Sequence, residues 1–228
     1  MSQHHNDNFL RPLLRGAGIV ILFLLFSGSL SAHAVLNELQ QMSRTDAALL
    51  YLGLGYKHIL PLGFDHILFV LSLYLLSPNI KSIALQSAAF TVAHSITLAL
   101  AMYGVISPAP EIVEPLIALS IMYVAFENIF SPRLKPTRIG VVFLFGLVHG
   151  LGFAGTLSQL GLPQNAYLLS LVMFNIGVEL GQLSVILLAF ILFGKWFGGK
   201  KIYRPVVVIP LSAIIFAVAG YWTFERLF

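Results

Sequence analysis

Six long apolar stretches, separated by short polar ones, make up most of the chain, at about 47–77, 82–105, 112–130, 138–160, 166–194 and 204–225. Each after the first has the length an α-helix needs to cross the ~30 Å hydrocarbon core of a bilayer. The first is longer because Pro61 and Gly63 interrupt it. Its clean part, 64–77, would cover only about 21 Å at 1.5 Å per residue, so part of 47–60 must also enter the membrane or lie along its face. Proline inside a helix removes a backbone donor and crowds the preceding turn, so a bent or broken helix is expected at this point. The predicted fold is an all-α, polytopic transmembrane helix bundle.

Ahead of these stretches, residues 1–15 are polar and carry Arg11 and Arg15. Gly16 to Leu30 is apolar, and Ser31-Ala32-His33-Ala34 follows. This order reads as a signal peptide over 1–34, cleaved after Ala34; a retained signal anchor would make seven helices of six. Residues 35–46 then form a short external segment, and 47–228 a single transmembrane domain. The loops 131–138 and 194–204 are basic, and Lys81 sits in the turn before the second stretch, whereas 106–111 and 161–165 hold no Lys or Arg. The positive-inside rule predicts a bacterial inner-membrane protein with the basic loops cytoplasmic and the C-terminus periplasmic.

Composition agrees: 58% of residues are hydrophobic and 10% charged, which excludes a soluble domain. The formal net charge of +4 lies mostly in loops, so it reports topology and gives no reason to expect nucleic acid. The absence of cysteine excludes disulfides, thiolate metal sites and thiol catalysis. Five scattered methionines do not form a soft Cu(I) relay. The glycine-rich runs lie in apolar helices and lack the strand context of a phosphate loop, and no nucleophile elbow or nucleotide fingerprint appears.

The chemistry centres on Tyr56 to Phe69, YKHILPLGFDHILF, which sets His58, Asp65 and His66 at the head of an apolar run. Ionisable side chains at membrane depth are costly and point to function. An imidazole beside a carboxylate suits a metal, with the carboxylate as ligand or as the group that orients the ring. Counted inward from Ser77, Ser82 and Thr137, residues His66, His94 and His149 lie about 16–18 Å deep, and Glu179 about 22 Å from Gly194. Four stretches running in both directions thus reach one mid-membrane layer, with Asn175 close by. That is how helical bundles assemble metal sites. Thr91 and Ser95 flank His94, and Gln182 shares a helix face with Asn175 and Glu179. His58 is placed nearer the outer face. Glu114 and Glu111 stand at the outer end of the third stretch and Glu127-Asn128 near its inner end, where they could mark the mouth and exit of a path. Helix ends are equally ordinary places for a glutamate.

Five stretches, GYKHILPLGFDHILFVLSLYLLS, AFTVAHSITLAL, VEPLIALSIMYVAFENIF, FGLVHGLGFAG and FNIGVELGQ, resemble in order the HupE/UreJ family of hydrogenase- and urease-accessory membrane proteins, over about Leu52 to Gln182. The resemblance implies a secondary permease for nickel, with cobalt as a second cargo. It sets His58, Asp65 and His66 on the family's His…Asp-His element, and His94, His149 and Glu179 on its later motifs.

The expected function is therefore a permease for a divalent transition-metal cation. The expected ligands are His66, Asp65, His94, His149, Glu179 and His58. Glu114, Glu127, Asn128, Asn175, Gln182, Ser95 and Thr91 line the path or support the ligands. Ligand chemistry alone admits Ni, Co, Zn, Fe or Cu. An intramembrane metal-dependent enzyme, holding a catalytic ion with an open position, is the rival reading. A non-transporting assembly partner of a metalloenzyme is the third. The expected partners are the bilayer, the cation, a second copy of the chain and metalloenzyme maturation proteins.

Overall fold

The computed structural model describes residues 41–76, 79–107, 109–131 and 133–228; the signal-peptide reading of 1–34 lies outside them. The described residues hold helices and no strand. The helices are α1 (Arg44–Ile59), α2 (Phe64–Leu76), α3 (Ile80–Met102), α4 (Pro110–Phe130), α5 (Arg138–Leu160), α6 (Tyr167–Ala189) and α7 (Ile209–Leu227). A π-turn, Phe190–Gly194, carries α6 on towards Phe197, and a second, Arg204–Val208, leads into α7. Ser43 caps α1 by accepting from the Asp46 amide at 3.1 Å, and Asn79 caps α3 by accepting from Ser82 at 3.2 Å. Pro110 opens α4, where its missing donor costs nothing. Gly161, at φ 81°, closes α5 in a conformation that favours glycine.

Among the described residues, five helical spans are long and apolar enough to cross a membrane. The pair α1–α2, bent by 68° at a short break, makes a sixth when counted as one span. Large apolar side chains such as Leu49, Leu168, Leu192 and Phe224 are exposed around the outside, as a lipid-facing surface requires. The protein is a multi-pass membrane protein, and the six predicted stretches correspond to these spans.

Two pairs of helices run parallel at very close range, and glycine is the reason. In α1 and α6, a Cβ on Gly55 would meet the Phe174 carbonyl, one on Gly177 the Leu52 carbonyl, and one on Gly181 the Ile59 side chain. In α3 and α5, a Cβ on Gly146 would meet the Phe90 carbonyl, and one on Gly150 the His94 carbonyl and Thr97 hydroxyl. The Thr97 hydroxyl also donates to the Leu147 carbonyl at 2.7 Å. Lipid gives helices no hydrophobic reason to associate, so backbone approach and interhelical hydrogen bonds must hold them. Gly152 faces Ile117 of α4, whereas Gly155 faces open space.

The bundle has two distinguishable ends. At one, Tyr51 donates to the Gly161 carbonyl (2.6 Å), Tyr167 to the Met102 carbonyl (2.5 Å) and Arg226 to the Glu114 carbonyl (3.1 Å). At the other, Arg204 donates to the Ile129 and Ser131 carbonyls, and Arg138 lies buried among α2, α3 and α4. These are called the Arg226 end and the Arg138 end below. Arg138 corrects the sequence reading: counted there among the charges of a basic loop, it is 2% exposed and belongs to the interior.

Gly177→Ala is expected to lower the thermal unfolding midpoint of the detergent-purified protein, at a cost of about 1–3 kcal/mol for forcing two backbones apart. Gly155→Ala meets nothing within 4 Å and is expected to leave the midpoint unchanged or raise it slightly.

Candidate metal centre

His58 stands in the last turn of α1 and His66 in the first turn of α2. Between them the chain turns through Leu60–Gly63. The Gly63 amide donates to the Ile59 carbonyl at 3.0 Å, and a Cβ on Gly63 would strike the His58 carbonyl. The break therefore stacks the two half-helices so closely that the His58 and His66 ring centroids are 4.6 Å apart. His58 is thus drawn inward from the outer-face position the sequence suggested. α3 brings His94, whose ring centre is 5.8 Å from that of His66 and 6.1 Å from that of His58. α5 brings His149, 4.9 Å from His66. Phe153, 3.9 Å from the His58 ring, and Phe90, 5.7 Å from the His66 ring, wall the cluster.

Ligating atoms of His58, His66 and His94 all lie within 4.8 Å of one another. One nitrogen on each of the four imidazoles is buried without a partner: Nε2 of His58, His66 and His94, and Nδ1 of His149. The other nitrogen is held in two cases. Ser120 Oγ donates to the Ile117 carbonyl at 2.6 Å, so it must accept from His149 Nε2–H at 2.9 Å. Asn175 Nδ2 donates to the Leu171 carbonyl at 2.8 Å, which directs its Oδ1 to accept from His94 Nδ1–H at 3.3 Å. Both bonds fix the tautomer that leaves the unpartnered nitrogen with its lone pair, as a metal ligand requires. A bound cation needs ligand atoms about 3 Å apart, given metal–nitrogen bonds near 2 Å. At up to 4.8 Å apart, the three ligating atoms are gathered but wider than that spacing.

The predicted carboxylates are engaged by other groups. Asp65 accepts from Arg226 Nη2 at 3.1 and 3.2 Å, in the wall of the cavity that His58, His66 and His149 also line. Glu179 accepts from Thr91 at 2.5 Å and Ser87 at 3.3 Å; Ser87 also donates to Gln182 (2.9 Å), and Gln182 to Thr91 (3.0 Å). Glu179 therefore heads a separate hydroxyl–amide layer between α3 and α6, beside a lateral cavity of about 370 Å³. Ser95 bonds back to the Thr91 carbonyl at 2.6 Å instead of tuning His94. Glu127 and Asn128 are engaged by Arg138. Ser120, Ser87 and Arg226 carry roles that the sequence reading did not assign. A single serine inside the apolar run of α4 was the available sign for Ser120.

A cavity of about 510 Å³ opens at the Arg226 end. His58, His66 and His149 line it together with Asp65, Glu114, Arg226, Lys57 and Thr156. Glu114, expected near the outer end of its helix, lines this cavity.

The fold and site define a polytopic helical membrane protein with a buried all-imidazole cluster reached from one end. The family described as HupE / UreJ protein matches residues 34–226, and the chain belongs to the HupE/UreJ family. Neither a curated protein nor a solved structure matches the chain.

In a cobalt(II) titration of the purified protein followed by visible absorption, His66→Ala and His94→Ala are each expected to weaken binding at least about tenfold. Glu179→Gln is expected to leave affinity within about threefold, because its carboxylate is spent on hydroxyl groups.

Proposed function

We propose that the protein is a secondary permease of the bacterial inner membrane for a divalent transition-metal cation. The observation that carries this is the convergence of His58, His66 and His94, each with a buried, unpartnered nitrogen and with ligating atoms within 4.8 Å of one another, beside a cavity open at one end and with His149 against His66. Polar atoms buried without partners are costly, and a cation that borrows their lone pairs removes that cost. Neutral nitrogen donors suit Ni(II), Co(II), Zn(II), Fe(II) and Cu(II) and not Mg(II) or Ca(II). Membership of the HupE/UreJ family favours nickel among them.

In this reading the cation is drawn in past Glu114 and Asp65, is held by His66, His94 and His58 with His149 beside them, and leaves at the Arg138 end. With the basic loops cytoplasmic, that direction is inward. Membrane potential alone favours such movement, by about 2.3 kcal/mol per charge per 100 mV. The rival reading, an intramembrane metalloenzyme, needs a free general base beside the metal. Asp65 is engaged by Arg226 and Glu179 by Thr91, which leaves Glu114 at the cavity as the carboxylate such a reading would have to use.

The test is nickel uptake by proteoliposomes. The double substitution His66→Ala/His94→Ala is expected to reduce uptake to the level of empty vesicles; unchanged uptake overturns the proposal. Imidazoles ligate as the neutral base, so protons compete with the cation and uptake is expected to fall steadily on acidification. Arg226→Gln removes a positive charge from the mouth and releases Asp65. It is expected to lower the KM for the cation at low ionic strength, with the difference shrinking as salt is added.

A further inference from the structure

The Arg138 guanidinium is buried in a shell made wholly of oxygen. It donates to Glu127 Oε2 at 2.8 Å, Gln86 Oε1 at 3.2 Å, Asn128 Oδ1 at 3.2 Å and the Ser72 carbonyl at 3.4 Å. The amide oxygens are oriented by other bonds: Asn128 Nδ2 donates to the Ser72 carbonyl (2.7 Å) and Ser212 (3.3 Å), and Gln86 Nε2 to the Ser82 carbonyl (3.2 Å). Four helices each supply an acceptor or the cation, and the Ser72 hydroxyl beside them is buried without a partner. One carboxylate, two amide oxygens and a carbonyl are the donor set of a hard divalent cation.

This shell is in register with the imidazole layer. On α2, His66, Phe69 and Ser72 follow at single-turn spacing, and on α3 so do His94, Phe90 and Gln86. Phe69 and Phe90, both fully buried and 4.9 Å apart, lie between the two layers. The axial separation on these two helices is about 9–12 Å by residue count. A buried ion pair is a poor source of stability compared with apolar packing, so its presence at this depth calls for another use.

We infer that Arg138 is a tethered cation filling a second cation site, made of Glu127, Gln86, Asn128 and Ser72, which takes a hard divalent cation when the guanidinium leaves. Within the permease reading the site is the last stop before the Arg138 end, and the guanidinium is the plug that closes it. That placement rests on the proposed function; the existence of the site does not.

The experiment is Mn(II) binding by the purified full chain, read as loss of the free-ion EPR signal. Arg138→Ala is expected to bind one more Mn(II) per chain than the wild type, at least tenfold more tightly than Glu127→Gln/Arg138→Ala does. Mn(II) is also expected to raise the thermal midpoint of Arg138→Ala and not that of the double variant. Arg138→Met, which keeps the apolar stem, provides the same comparison where Arg138→Ala cannot be purified without Mn(II). No additional Mn(II) in either variant, or an addition that survives Glu127→Gln, shows a packing staple and overturns the inference. Nickel uptake by the histidine variants does not enter this measurement, so failure of the cation site is told apart from failure of the permease reading.

Discussion

The interruption of the first span at Leu60–Gly63 is the constraint on which the site depends. A continuous helix would put His58 and His66 two turns apart on one rod, about 12 Å along the axis. Breaking it instead sets the last turn of α1 against the first turn of α2, with the imidazoles in edge-to-face contact. Irregular backbone at membrane depth is tolerated where protein covers it or a cavity wets it, and the second condition holds here. The Leu62 amide donates to the Lys57 carbonyl and the Gly63 amide to the Ile59 carbonyl, and the turn lines the cavity at the Arg226 end. The parallel, glycine-mediated pairs α1–α6 and α3–α5 then bring His58 and His94 in from either side of α2.

Around this break the polar side chains sort by chemistry. The imidazole layer carries no ion pair among the described residues. Charges are kept above and below it and are paired, Asp65 with Arg226 and Glu127 with Arg138. The two pairs differ in burial: side-chain exposures are 21% and 29% for the first and 1% and 12% for the second. Solvent screening weakens the first, so Arg226 and Asp65 can separate at modest cost, whereas the second is held in a low-dielectric interior. The asymmetry leaves the pair at the Arg226 end the more accessible to solvent of the two.

Much of this was legible in the sequence, and the misses have a common cause. Span positions follow from uninterrupted apolar length, and the common depth of His66, His94 and His149 follows from counting rise per residue. Depth says nothing about azimuth. Glu179 shares the α6 face of Asn175, which reaches His94, but stands one turn further along, opposite Ser87 and Thr91, and Asp65 is one residue, about 100°, around α2 from His66. His58 was set too near the surface because a count along a straight helix cannot anticipate the fold-back at Gly63. Arg138 was read as a loop charge because helix ends and loops look alike in composition; only the acceptors supplied by α2, α3 and α4 make it an interior residue.

The looseness of the imidazole group bears on whether such a site stores a cation or passes one on. A structural metal site is closed, with all ligands at bonding distance and each ring oriented from behind. Here two of the four rings, His94 and His149, are oriented by Asn175 and Ser120, while Nε2 of His58 and of His66, the pair at the helix break, is buried without a partner. The supported rings can serve as a fixed wall and the unsupported ones as the part that moves. The moving part is carried by the two half-helices that meet at Pro61–Gly63, so a change in their bend alters the ligand spacing directly. A cation held by ligands from both sides of a hinge is bound tightly in one bend and weakly in another, and that coupling is the physical requirement for release.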